Sequence, residues 1–392
     1  MKIIVIIEAS YLQPGVFFQG VELVEDLTKY AFRSDTIEVV TTNGMSVPEL
    51  MSRGFTVHLV KFNVYDRLLR LFSATTVYPF VQKYLRLTSH FEKSLIKIGA
   101  NFLVFATQSS TPAVISKTIF ASQVHDIAYL EYPEFSESSN YGESRIKLRY
   151  LEIVTRASSL IITESISLKN SMIDRFDLNP KRVLAIPHSV PKDITASTSD
   201  STTSKFKFQN AEIFYLYPAQ FWNHKNHRII VQALKQLHQS SKMAHVVFVG
   251  QDQGVLEPVR ELVVKLGLQD YIHFMGFQSR SELIELYRNC IALVMTTYFG
   301  PTNVPPLEAW SLGVPVIYSQ HLSEDFGDSV IPVDVDSADS VAKGMQIVLE
   351  EAYRKRLINQ GHLMLERLHN LRETEIRILL YQMRIISDRV LE

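Results

Sequence analysis

Ile291-Ala292-Leu293-Val294-Met295 is followed by Phe299-Gly300-Pro301-Thr302-Asn303-Val304-Pro305-Pro306-Leu307-Glu308-Ala309-Trp310, and then by Ser311-Leu312-Gly313-Val314-Pro315-Val316-Ile317. The first apolar run predicts a buried strand. Gly300 and Pro301 break it, and a helix is expected to open with Pro305 and Pro306 in its first turn, where a missing N–H costs nothing. Glu308 is expected in that same turn, and a second apolar run closes a strand–loop–helix–strand unit. Open α/β sheets bind ligands at such carboxyl-end loops, and free N–H groups at a helix start suit an anion or ribose hydroxyls. The alternative is that Glu308 merely complements the positive end of the helix dipole.

The same alternation runs along the whole chain, the pattern of βαβ units. Strands are predicted at 3–7, 37–40, 55–60, 102–105, 119–124, 160–163 and 183–186. After a Ser/Thr-rich passage at 196–204 they resume at 213–217, 246–249, 272–274, 292–295, 314–317 and 330–333. This predicts an α/β protein of two Rossmann-like, doubly wound domains facing a central cleft. The expected boundaries are 1–190, a linker at 191–205, and 206–373, with a terminal helix over 374–392 packing back on the first domain.

The 392 residues suffice for two domains, and a net charge of -1 gives no global field for nucleic acid. The lone cysteine, Cys290, excludes a disulfide framework, suits a reducing cytoplasmic setting and reads as core filler. Glu8 interrupts the first apolar run too early for a signal core or a membrane span. Tyr65-Asp66-Arg67-Leu68-Leu69-Arg70-Leu71-Phe72, continuing to Tyr84-Leu85-Arg86-Leu87, interleaves basic and apolar residues. It fits either peripheral contact with an anionic lipid surface or an amphipathic helix burying Leu68, Leu69 and Phe72.

A second polar corner, Tyr217-Pro218-Ala219-Gln220-Phe221-Trp222-Asn223-His224-Lys225, again lies between a strand and a helix. A cation beside free N–H groups is what a departing diphosphate needs, which marks Lys225. In the first half, Ser122-Gln123-Val124 runs into His125-Asp126 at a strand end, where His125 could meet a sugar hydroxyl and Asp126 orient it. Gly15 and Gly20 bracket what reads as an apolar loop before the first helix, and Gly20 would admit a close ligand. Asp334-Val335-Asp336 resembles a divalent-ion motif, but it precedes a helix opening near Ser337, so a capping role is expected and no metal.

Together these segments resemble the retaining glycosyltransferases of family four, which have the GT-B fold. The resemblance also covers Val247-Phe248-Val249-Gly250, Ile272-His273-Phe274-Met275-Gly276-Phe277, Thr163-Glu164-Ser165 and Pro187-His188-Ser189. It implies a nucleotide-diphosphate sugar as donor substrate and no cofactor. The second of the family's paired glutamates matches Glu308, expected on the ribose. The first falls on Gly300, leaving Thr302, Asn303 or loop backbone at Val304 for the donor sugar. Lys225 matches the family's phosphate-binding Lys, while Gln220 occupies its Arg position, with Asn223, Gly250 and Phe277 in the same donor-binding elements. His125 matches a histidine facing the donor sugar, and Asp126 is expected on the acceptor side. The implied reaction is retaining transfer of a hexosyl or deoxyhexosyl group to a saccharide or lipid-linked saccharide, in surface polysaccharide or glycolipid synthesis. The subgroup is similar to bacterial mannosyl- and rhamnosyl-type transferases. A degenerate nucleotide-sugar-binding partner of an active transferase is the second reading; an epimerase or phosphorylase is a third that no residue asks for.

Overall fold

The computed structural model describes residues 1–12, 14–85, 87–135, 141–192, 194, 213–240, 243–300 and 304–391. Thr302 and Asn303, and most of the expected linker, lie outside the described residues. The chain divides into two compact units. The first comprises Met1–Glu131, Ser139–His188 and Asn370–Glu392; the second comprises Ser189–His369 together with the short stretch beginning at Tyr132. The division falls at His188/Ser189 and His369/Asn370, against the expected 190 and 373.

The first unit holds β1 (Lys2–Ile7), β2 (Thr36–Thr41), β3 (Val57–Leu59), β4 (Phe102–Phe105), β5 (Phe120–Val124), β6 (Leu160–Thr163) and β7 (Val183–Ala185). They form one sheet in the order β3-β2-β1-β4-β5-β6-β7, every pairing parallel. β4, β5 and β6 are buried along their whole length, including Ser122, Gln123 and Thr163, as expected of parallel strands with helices on both faces. The second unit holds β8 (Phe214–Pro218), β9 (His245–Val249), β10 (Ile272–Phe274), β11 (Ala292–Met295), β12 (Val316–Ser319) and β13 (Val330–Val333). Their order is β10-β9-β8-β11-β12-β13, again all parallel. Each sheet reverses its strand order once, between β1 and β4 and between β8 and β11. The helix His227–Gln239 buries an apolar stripe at helical spacing, Ile229, Ile230, Ala233, Leu234 and Leu237.

The chain ends in one 41-residue helix, Glu351–Leu391. Its later half belongs to the first unit, where Ile376, Leu379, Leu380 and Met383 enter the core with Ile3, Val5 and Phe102. Each such side chain is worth about 1.5–3 kcal/mol when fully removed from water. Arg372 fixes the register by donating to Asp26 and to the carbonyl of Pro187.

Three expectations are corrected. Gly15 and Gly20 lie inside the helix Pro14–Tyr30, not in a loop. A Cβ on Gly20 would stand 3.3 Å from the Ile7 side chain, so Gly20 lets this helix approach β1 closely. The cap of the helix Ala338–Ile347 is Ser337, which accepts the Ser340 N–H; Asp334 instead accepts from the Asp336 N–H, and Asp336 accepts from the Tyr298 hydroxyl. Leu68 is exposed and Phe72 half-buried, so within the helix Val64–Ser73 the predicted burial holds for Leu69 only.

Gly361 faces the buried indole of Trp310, and a Cβ there would lie 2.3 Å from its ring. Gly361→Ala should therefore cost about 1–3 kcal/mol through overpacking. The thermal midpoint should fall by several degrees, whereas the neighbouring exposed His362→Ala should leave it within about a degree.

Candidate active site

In the second unit the strands are mostly apolar, with His245, His273 and Ser319 as polar exceptions, and the predicted site residues lie in the loops and helices that follow their carboxyl ends. The order reversal sets the loop after β8 beside the loop after β11. The first loop makes a 3-10 turn, Asn223–Lys225, closed by Asn226 in the left-handed region at φ 51. The loops are laced together. The Tyr298 N–H donates to the His224 carbonyl at 2.8 Å, the Thr296 hydroxyl donates to the Asn226 carbonyl at 3.2 Å, and the His224 and Phe299 rings stack at 4.0 Å. The Tyr217 hydroxyl donates to the Lys225 carbonyl at 2.8 Å, which pins the turn from the sheet beneath it. Lys225 is half-buried; Gln220 and Asn223 are exposed, with Gln220 accepting the Trp222 indole N–H.

Two further predicted residues stand at the same edge. Gly250 follows β9 and passes so near the first loop that a Cβ would lie 2.3 Å from the Ala219 carbonyl oxygen. No side chain fits there. Phe277 follows β10 and is the most exposed predicted residue, with 76% of its surface open. His227 stacks on Phe221 at 4.2 Å beneath this edge; burial is the largest influence on it and lowers its pKa to about 3, so it is neutral and structural.

Glu308 lies on the helix Val304–Ser311, which begins one residue before Pro305. Its first turn therefore holds no acid, which corrects the expected position and removes the simple dipole account. Glu308 is 5% exposed, and among the described residues its carboxylate has two donors. Arg280 Nη1 reaches one oxygen at 2.6 Å and the Tyr287 hydroxyl reaches the other at 2.9 Å. Burial first, and then the Glu308 charge, push the Tyr287 pKa far up, so the phenol keeps its proton and donates it. Arg280 opens the helix Arg280–Asn289, where Ser279 and Glu282 form a capping box. Neither partner was marked by the sequence reading, although the capping box was there to be found.

In the first unit, His125 and Asp126 follow β5. His125 Nδ1 bonds Glu164 Oε1, and His188 Nε2 lies 3.0 Å from Glu164 Oε2. Gln123 Nε2 also donates to Glu164 at 3.2 Å. Glu164 is thus a buried carboxylate between two imidazoles. Burial opposes its ionisation, yet His188 and His125 hold its pKa far below the usual carboxyl range. For His125, burial works against the charged ring, but the Glu164 charge and hydrogen bond outweigh it and raise the pKa. His125 Nε2 is buried and has no hydrogen-bond partner among the described residues. Asp126 accepts from the Ala128 N–H and so opens the short helix Ala128–Glu131, which accounts for it locally. Glu164 and His188 carried no assigned role in the sequence, and the signal for them was an acid directly after a buried strand. Glu8, at the carboxyl end of β1 where this sheet reverses, accepts from the Thr111 hydroxyl, and its second oxygen is buried without a hydrogen bond among the described residues.

The His125–Glu164 pair predicts a pH signature. A histidine raised above 6.5 stabilises the fold fully below that unfolded value and stops doing so as pH rises through its folded value. Glu164, being depressed, contributes above the unfolded carboxyl range and loses this only in strong acid. Glu164→Gln should cost about 3–5 kcal/mol near pH 6. Its deficit in thermal midpoint should shrink as pH is raised to about 9; a deficit constant across that range would contradict the coupling.

Comparison with known proteins accords with this geometry. A family profile described as glycosyl transferases group 1 matches residues 199–364. The O-antigen chain mannosyltransferase RfbU of Salmonella typhimurium is 27% identical over 225 residues, 57% of this chain and 58% of that protein. The O-antigen chain mannosyltransferase B of Escherichia coli is 25% identical over 247 residues, 60% of this chain and 63% of that one. The chain therefore spans about three fifths of the length of these two relatives. Among solved structures, Anabaena HepE in complex with UDP-glucose superposes with a TM-score of 0.69 at 16% identity, covering 97% of this chain and 99% of that one. The fold is that of the GT-B glycosyltransferases. Residues 199–364 thus match the glycosyl transferases group 1 profile, and the chain is similar to two O-antigen chain mannosyltransferases.

Proposed function

We propose that this protein is a retaining glycosyltransferase that moves a hexosyl or deoxyhexosyl group from a nucleotide-diphosphate sugar to the hydroxyl of a saccharide or lipid-linked saccharide. The observation that carries the reading is the convergence of the Lys225 turn and the Glu308 helix at the one order reversal of the second sheet. In this reading the nucleotide lies across that reversal. Glu308 has roughly four acceptor positions, of which Arg280 and Tyr287 occupy two, so ribose hydroxyls can donate to the others. Lys225 and the N–H groups of its turn carry the charge that builds on the diphosphate as it leaves.

His125 supports the same reading. Glu164 holds its Nδ1, which orients Nε2, unpartnered among the described residues, for a sugar hydroxyl. A retaining transfer with an oxocarbenium-like transition state does not need a second carboxylate if the departing diphosphate deprotonates the attacking hydroxyl on the same face. Positive charge comes from Lys225 and no metal takes part. The likeness to RfbU, an O-antigen chain mannosyltransferase, favours a GDP-mannose-like donor, and in this reading the enzyme works at the cytoplasmic face of the membrane. A catalytically silent nucleotide-sugar-binding partner is the second reading, favoured by Gly300 and Gln220 standing where the family has Glu and Arg.

Incubation with a panel of nucleotide sugars and candidate acceptors should release nucleoside diphosphate. Lys225→Ala and Glu308→Ala should each lower kcat/KM by at least about a hundredfold. Unchanged turnover in both variants would overturn the site, and calorimetric binding without turnover on any acceptor would favour the silent partner.

A further inference from the structure

We infer that the helix pair Val64–Ser73 and Tyr78–Leu85 in the first unit is a docking surface for an anionic lipid bilayer. The first helix is built the wrong way round for a helix that only fills a core. Its buried residues are Asp66, Leu69 and Ser73. Val64, Leu68 and Leu71 fall within roughly 60° of one another on the opposite side, and all three are exposed, Leu71 by 70%. Tyr65 and Arg67 flank this stripe and are exposed as well. The second helix repeats the arrangement: Tyr78 is buried, while Phe80 and Tyr84, four residues apart, point outward, Tyr84 by 77%. Val77 and Leu85 extend the apolar surface.

Charge selects the occupant. From Met51 to His125 the sequence carries nine Lys and Arg residues and two acids, in a chain whose net charge is -1. Both acids are buried and engaged within the fold, Glu92 by the Ser116 hydroxyl as well as by backbone. Asp66 accepts the N–H groups of Asn63, His90 and Phe91, and Glu92 accepts those of Ser116, Lys117 and Thr118. No carboxylate of this stretch therefore reaches the surface beside Arg67 and Lys61. An aliphatic stripe with aromatic neighbours and a basic margin matches the acyl–headgroup boundary of an acidic membrane. A nucleic acid would leave Val64, Leu68 and Leu71 without use, and a second copy would set like charges against each other. The inference deepens the proposed function, because an enzyme acting on a lipid-linked acceptor must meet the membrane. It is read without donor or acceptor, so the two can fail separately.

The test is co-sedimentation of the full chain with phosphatidylcholine vesicles, plain or containing about 30% phosphatidylglycerol. The chain should pellet with the acidic vesicles, about tenfold less with the neutral ones, and less as salt is raised. The triple variant Leu68→Ser, Leu71→Ser, Phe80→Ser and the single variant Arg67→Glu should each lose most of this binding. The thermal midpoint should stay unchanged, since these side chains are exposed. A wild-type chain that stays in the supernatant with both vesicles would overturn the inference. So would a triple variant that binds as well as wild type, or a lipid-free dimer that the triple variant abolishes.

Discussion

The parallel pairing of β8 on β11, with Ala292 opposite Tyr215 and Leu293 opposite Leu216, is the constraint on which the candidate site rests. These two strands are distant in sequence and leave the sheet toward opposite flanks, so their following loops must stand side by side. The strands are too thoroughly buried to hold an unpaired polar group, and chemistry is forced to the loop edge. Several features then follow. Gly250 admits the Ala219 carbonyl, Asn226 takes a left-handed conformation to turn the chain into its helix, and His224 stacks on Phe299. A change in the β8–β11 register would move Lys225 and Glu308 together.

The buried carboxylates Asp66, Glu92, Glu308 and Glu164 fall into two groups by the partners they accept from. Asp66 accepts from backbone N–H groups, Glu92 from backbone N–H groups and the Ser116 hydroxyl, and both hold loops in place. Glu308 and Glu164 face side chains: Arg280 and Tyr287 in one case, His125 and His188 in the other. A backbone-saturated carboxylate is an anchor, whereas one paired with side chains fixes an orientation and retains capacity for a ligand. Arg280 also keeps Glu308 from being a lone buried charge, which would be costly.

The strand pattern was legible in the sequence because β-branched runs such as Leu160–Thr163 and Val330–Val333 are bounded by Gly, Pro or polar residues. Where the reading failed, the deciding information was tertiary. Gly20 resembles loop glycine until Ile7 is placed against it. Leu68 and Leu69 are equally apolar, and periodicity alone cannot say which one meets Val114 and Tyr78. Arg280 lies 28 residues from Glu308 and Glu164 lies 39 from His125, so no local spacing announces either pair. Lys225 and Glu308 could be marked from the sequence because each lies in a strand–loop–helix unit at the carboxyl end of a strand.

The central claim is that a nucleotide diphosphate is held where β8 and β11 diverge. A crystal structure of the protein with bound nucleoside diphosphate tests it most directly. The diphosphate should lie within hydrogen-bond reach of Lys225 and the Asn223–Lys225 turn, with ribose hydroxyls on Glu308. A nucleotide bound elsewhere, with Glu308 still engaged only by Arg280 and Tyr287, would contradict the account.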